Sequence, residues 1–268
     1  MQLAFSLHFD GLLWRIFPDI EQPLLVVEAR HSDRKVSFAA VDLANKKLLW
    51  NHFVLPESWW SSGVLLQNGI LFVQTFPEGQ NPEPRGISAI EVEVEVATQQ
   101  LRWHQPDLQF LQLVTSSRLL ARKPTGAGFQ YYMLDVTTGI ILEESPTPFA
   151  ELPVPPLVPG RLRFPTHYTP DDQYFESIAT FVFQTLRISP QFAFDYAEIN
   201  HCIIISYYIY AEKQIENFLA VFDTHSRVPL LHEKIATQRT GIGRDTFFIF
   251  DQLLIFVKEQ TVLLSYEI

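Results

Sequence analysis

The feature that most constrains this chain is a turn-and-strand unit that recurs. In Phe38–Trp50, FAAVDLANKKLLW, an apolar strand ends at Asp42, an Asn-Lys pair turns the chain, and a second strand runs into Trp50. Asp suits that place because its side chain bonds the turn's own backbone. The shape returns at Ile90–Trp103, at Tyr131–Glu143 (YYMLDVTTGIILE) and at Phe218–Leu231 (FLAVFDTHSRVPLL). Hairpins with a strongly apolar second arm accompany the units, and these arms are Leu24–Ala29, Ile70–Phe76, Leu119–Lys123, Cys202–Tyr210 and Leu253–Lys258. Turn signals such as Gln67-Asn68-Gly69 and Asn200-His201 stand ahead of four of the arms.

The next strand of each set is Val36–Asp42, Gly86–Val96, Phe129–Val136, Phe218–Asp223 and Thr261–Ile268, and a fourth strand follows in all but the last. Four-stranded antiparallel units at a spacing of roughly 40–50 residues predict β-propeller blades. The fifth set stops at Ile268 without its fourth strand, while the chain begins with an unattached strand, Leu3–Phe9. The expectation is therefore an all-β fold over residues 1–268 as a single domain. It is a five-bladed β-propeller of four-stranded antiparallel blades whose last blade is closed by the N-terminal strand, which removes an exposed edge.

The stretch 145–190, from Ser145 to Pro190, departs from the repeat. Its prolines predict an extended, unpaired first half. Its second half predicts a helix starting near Pro170, with Thr169 as N-cap, Asp171 and Asp172 favourable to the helix dipole, and apolar positions 174, 175, 178, 181, 182 and 186 at helical period. That reading makes the stretch a Pro-rich insert carrying one helix. The β-prone run ATFVF keeps a degenerate sixth blade as the alternative.

A formal charge of −10 opposes a nucleic-acid backbone or an anionic membrane surface, so neither is an expected partner. The single cysteine, Cys202, excludes an intramolecular disulfide and fits a reducing compartment. The N-terminus MQLAFSLHFDG has no basic residue ahead of its apolar stretch, and no run reaches the ~20 apolar residues of a membrane helix. Together these predict a soluble, cytoplasmic protein.

The motif VDLANKKLLW, with IEVEVEVATQQLRW and LDVTTGIIL, resembles the repeat of quinoprotein-like propellers, in which a strand ending in Asp is followed by Thr-Gly-Lys and then Leu-Trp. Asn-Lys, Thr-Gln and His-Ser stand where Thr-Gly is usual, and only two of the Trp positions are filled. Quinone binding is therefore not carried over, and no cofactor is expected. ESWW, the Pro-rich loop before Gly86-Ile87, and IIISYY also look like a small uncharacterised bacterial family, a domain of unknown function. Independently of any family, Trp50 and Trp103 read as core, because an indole buries a large area between packed sheets.

Candidate binding residues follow from chemistry at short spacing. Trp59 and Trp60 sit in a connection between sets, where adjacent indoles can stack on sugars or anchor a peptide, although one of two neighbours is expected to be buried. His167, Tyr168, Asp171 and Asp172 place an imidazole, a phenol and two carboxylates within six residues, suited to acid/base chemistry or metal binding, against which stands plain helix capping. Glu91, Glu93 and Glu95 share one face of a strand and read as a solvated face. The glycine runs Thr125–Gly128 and Thr240–Arg244 read as tight connections, since neither lies between a strand and a helix. No catalytic residue and no metal site is assigned. The composite expectation is a non-enzymatic interaction or ligand-binding module with a protein or small-molecule partner. Its alternative is a glycan-active enzyme or lectin using carboxylates and aromatics at the propeller funnel.

Overall fold

Apolar runs separated by short polar turns become antiparallel strands throughout the computed structural model, which describes residues 1–56, 58–77, 83–93, 101–149, 160–211, 214–239 and 241–268. Of the described residues, 61% are in strands. In chain order, β1 (Gln2–His8) is followed by β2 (Leu12–Pro18), β3 (Leu24–Arg30), β4 (Val36–Asp42) and β5 (Lys47–Phe53). A 3-10 turn, Ser58–Trp60, leads into β6 (Ser61–Gln67), β7 (Ile70–Thr75), β8 (Ile87–Glu91) and β9 (Leu101–Gln105). Then come β10 (Gln109–Thr115), β11 (Arg118–Thr125), β12 (Gly128–Asp135) and β13 (Ile141–Ser145), followed by the short β14 (Leu162–Arg163) and β15 (Thr166–Tyr168). Helix α1 (Phe175–Leu186) precedes β16 (Gln191–Ile199), β17 (Cys202–Ala211), β18 (Gln214–Asp223) and β19 (Pro229–Arg239). The chain closes with β20 (Phe247–Phe250), β21 (Leu253–Lys258) and β22 (Val262–Glu267).

Two compact units result: Gly11–Val158, and Met1–Asp10 together with Pro159–Ile268. The first holds three four-stranded sheets, β2-β3-β4-β5, β6-β7-β8-β9 and β10-β11-β12-β13. The second holds two five-stranded sheets, β15-β16-β17-β18-β19 and β14-β20-β21-β22-β1. The expected four strands are thus exceeded twice. The physical reason is edge pairing: β14 and β15, drawn from the Pro-rich stretch on either side of Pro165, satisfy the free backbone groups along β20 and β16. Residues 150–159 lie outside the described residues, so the expected extended first half is described only up to Phe149. No sixth sheet occurs among the described residues.

One hydrogen bond marks the five sheets as copies of one unit. In each, the residue after the third strand gives its N–H to the carbonyl just before the second strand. The pairs are Leu43 to Pro23, Val92 to Gly69, Val136 to Ser117, Thr224 to His201 and Ile268 to Gln252, at 2.8–2.9 Å. In register, the first residue of each second strand faces the acidic end of the third: Leu24 with Asp42, Ile70 with Glu91, Arg118 with Asp135, Cys202 with Asp223 and Leu253 with Glu267. In three turns the Asp Oδ1 accepts the N–H of the residue three further on, Asn45, Thr138 or Ser226, at 2.7–2.9 Å.

As expected, β1 pairs antiparallel with β22, from Gln2 opposite Glu267 to His8 opposite Val262. Phe5 is buried, whereas Leu3 is exposed, so only part of the expected apolar face is covered. Helix α1 starts later than expected. Asp172 Oδ2 accepts from both the amide and the hydroxyl of Thr169, closing a turn over 169–172, and the first helical residue is Phe175. Thr169 is therefore the donor to Asp172 and not the helix cap. Phe175, Ile178 and Val182 pack onto Phe194, Tyr207 and Phe222 of the β15–β19 sheet. Tyr174, expected on the buried face, is 53% exposed because it precedes the helix.

Candidate functional site

Strand alternation places two polar arrangements on opposite faces of the β15–β19 sheet. His167 faces one side, opposite Asp195 in register, and its Nδ1 lies 2.7 Å from Asp195 Oδ1, with side-chain exposures of 15% and 1%. Asp195 Oδ2 accepts from the amide and the hydroxyl of Thr246, both at 2.8 Å. The buried carboxylate thus fixes the imidazole and ties β16 to the segment leading into β20. Burial, and then the Asp195 charge, raise the Asp245 carboxyl above the usual carboxylate range. Asp172 moves the other way, held down by Thr169's amide and hydroxyl and then by the charges of His167 and Arg244. Of the four expected residues, His167 and Asp172 are brought into one cluster, with Asp195, Arg244 and Asp245 added from far along the chain. Asp171 is exposed. Among the described residues no group of three His, Cys, Asp or Glu side chains could hold a metal ion.

Tyr168 points to the opposite face, where a cavity of about 360 Å³ opens between α1 and the sheet. Tyr168, Tyr174, Tyr196, Ser177 and Glu198 line it, over an apolar floor of Ile178, Phe181, Ile203 and Ile205. The Tyr168 ring meets Tyr174 at 6.0 Å and 80°, and Tyr196 at 6.2 Å and 75°. Tyr196 donates its hydroxyl to Glu198. Burial first, and that hydrogen bond next, push the Tyr196 phenol above its ordinary pKa, so it stays protonated and neutral.

The tryptophan pair lies in the other unit. Trp59 packs against the core of the first two sheets, and Trp60 is 38% exposed. The Arg30 guanidinium sits 5.3 Å from the Trp59 ring and 5.7 Å from that of Trp14, which is 63% exposed. Arg30 also donates to the fully buried Glu28, whose other oxygen accepts from the Ser62 hydroxyl and the Gly63 amide. This arrangement stitches β3 to β6, and Trp14 is its member that local spacing did not reveal.

Other candidates resolve into structure. Thr125 pairs with Gly128 across a two-residue hairpin turn. Gly243 gives its amide to the Tyr208 hydroxyl, which donates back to the Gly243 carbonyl, so that amide is committed. Cys202 is buried, and burial raises its thiol pKa. Glu91 ends β8 and Glu93 is exposed beyond it, while Glu95 lies outside the described residues. Among the described residues, no helix is long and apolar enough to cross a membrane.

A family model described as Domain of unknown function (DUF4905) matches residues 19–103. No curated protein matches the chain. Among solved structures, Raptor from Chaetomium thermophilum aligns at 8% identity over 100% of this chain and 28% of its own, with a TM-score of 0.41. The acylaminoacyl peptidase of Pyrococcus horikoshii aligns at 8% identity over 94% of this chain and 38% of its own, with a TM-score of 0.32. The β-propeller domain of the Trilobed protease from Pyrococcus furiosus aligns at 10% identity over 97% of this chain and 69% of its own, with a TM-score of 0.31. The chain thus spans well under half the length of the first two.

Proposed function

We propose that the chain is a five-bladed β-propeller, its last blade completed by β1, that works as a ligand-binding module. The five repeated sheets, the shared turn bond and the β1–β22 pairing support the ring, and the Asp-ended strand with its turn supports a quinoprotein-like repeat without the quinone. The binding reading is carried by the cavity beneath α1. Its volume of about 360 Å³ falls in the range of about 300–1,000 Å³ typical of small-molecule sites, and it joins an apolar floor to a few polar groups. The acidic charge of −10 disfavours polyanions, leaving neutral or cationic ligands.

A thermal-shift screen with sugars, nucleosides, amines and short peptides tests it. A ligand at a hundredfold excess over its Kd adds about 2.7 kcal/mol, which for a chain of this size raises Tm by roughly 5–10 °C. Ile203→Phe, which fills the floor of the cavity, is expected to abolish that shift. A screen with no shift, or a shift that Ile203→Phe leaves intact, overturns the assignment of the cavity.

A further inference from the structure

We infer that the cavity beneath α1 is a cage for an organic cation bearing a methylated or quaternary ammonium group, an inference that rests on the binding reading above and narrows it to one ligand chemistry. Three tyrosines line the space, and Tyr168 meets both neighbours near a right angle, at 80° and 75°. Rings set that way enclose a concave volume, which parallel stacking would close. Aromatic faces carry the negative lobe of the ring quadrupole and attract a cation held against them. The Tyr196 hydroxyl donates to Glu198, which enriches that ring in electrons and fixes a carboxylate at the rim.

The polar groups decide between ligand classes. A primary ammonium has three N–H donors to desolvate, and this lining is mainly aromatic and aliphatic. A methylated ammonium has fewer or none, and its polarised methyl groups suit the floor of Ile178, Phe181, Ile203 and Ile205.

The test uses the full-length protein and titration calorimetry with choline, its neutral carbon isostere 3,3-dimethylbutan-1-ol, and a trimethyllysine peptide beside its unmodified counterpart. The methylated-ammonium member of each pair is expected to bind about tenfold more tightly than the neutral isostere or the primary ammonium of the unmodified peptide. Tyr174→Ala, at a side chain 53% exposed and with its melting checked against the parent, should remove that preference, Tyr174→Phe should keep it, and Glu198→Gln should weaken it. Choline binding above the peptide marks a free small cation as the source of the group, and the reverse order marks a methylated protein segment. If the neutral isostere binds as tightly as choline and Ile203→Phe abolishes both, the cage is wrong while the binding site stands. If neither cation binds although another compound from the screen occupies the cavity, the cage is likewise overturned. Absence of every ligand removes both readings.

Discussion

Trp50 and Trp103 leave their own sheets and donate Nε1–H to the carbonyls of Val92 and Val136 in the next sheet, each at 2.9 Å, whereas the matching register positions are held by Leu231 and Phe5 in the other unit, and by Glu143 in the third sheet of the Gly11–Val158 unit. The match is set by pairing. Ala40 faces Trp50, Ala89 faces Trp103, and Val221 faces Leu231. All five tryptophans fall in the Gly11–Val158 unit. The other unit joins its sheets through a core of Ile204, Phe247, Phe256 and neighbours, with Leu231 and Ile268 packed against it. The comparison teaches that one repeat supports two kinds of sheet-to-sheet packing, a directional indole bond and purely apolar contact. Among the described residues, the unit without tryptophan also carries the extra edge strands, α1 and the cavity described above.

The largest expected effect sharpens that contrast at β1. Deleting residues 2–9 removes Phe5 and Phe9, both buried, at roughly 1.5–3 kcal/mol each, and so costs about 3–6 kcal/mol. Denaturant melts check this, and a midpoint unchanged within error would mean that β1 does not hold the unit together.

Next comes the indole itself. Trp50→Ala should cost about 3–5 kcal/mol, and Trp50→Phe about 1–3, because the ring bulk is mostly kept while the Val92 carbonyl loses its donor. Equal losses for the two variants would show that packing alone matters and the hydrogen bond does not.

A smaller effect separates the turns. The fourth residue after each strand-ending Asp has positive φ: Lys46 at 55°, Gly139 at 69° and Arg227 at 57°. At Gly139 a Cβ would lie 2.6 Å from the Trp103 indole. Gly139→Ala should therefore cost about 1–3 kcal/mol, while Arg227→Gly, which relieves a left-handed side-chain residue, should change stability by less than about 1 kcal/mol. Equal responses would break the link between the indole and the turn glycine.

The smallest effect is in pH. The hydroxyl and amide of Thr138 hold Asp135 below the usual 3.8, and the amide and hydroxyl of Ser226 do the same for Asp223. A lowered folded-state pKa contributes stability above the unfolded value and loses it as pH falls through the folded one. Asp135→Asn and Asp223→Asn should thus lower Tm slightly at pH 7 and leave it unchanged well below pH 3.8. A gap that persists in acid would assign the effect to geometry and not to charge.

These turns also explain why the repeat was legible and yet looked irregular. Asp42, Asp135 and Asp223 act within three residues, so the local sequence exposes them, whereas Glu91 and Glu267 hold the same position without an Asp, and only the strand pairing equates them. Thr-Gly stands whole in the turn of Asp135, where Gly139 lies against the Trp103 indole. Helix α1 was legible from its apolar period, but its start was not, since the choice between Thr169 capping a helix and Asp172 closing a turn depends on where β15 ends.

What the sequence by itself determined is the repeating strand plan, the turns, the buried tryptophans and the pairing of the chain's two end strands. Period-two burial and side-chain-to-backbone bonds act over a few residues and are written locally. Tertiary structure alone decided that His167 meets Asp195 across a strand pair, that β14 and β15 extend two sheets, and that Tyr168, Tyr174 and Tyr196 face one cavity. Those meetings depend on the register between strands and on the placement of a helix over a sheet face, which the packing of the whole unit sets and no short stretch of residues specifies.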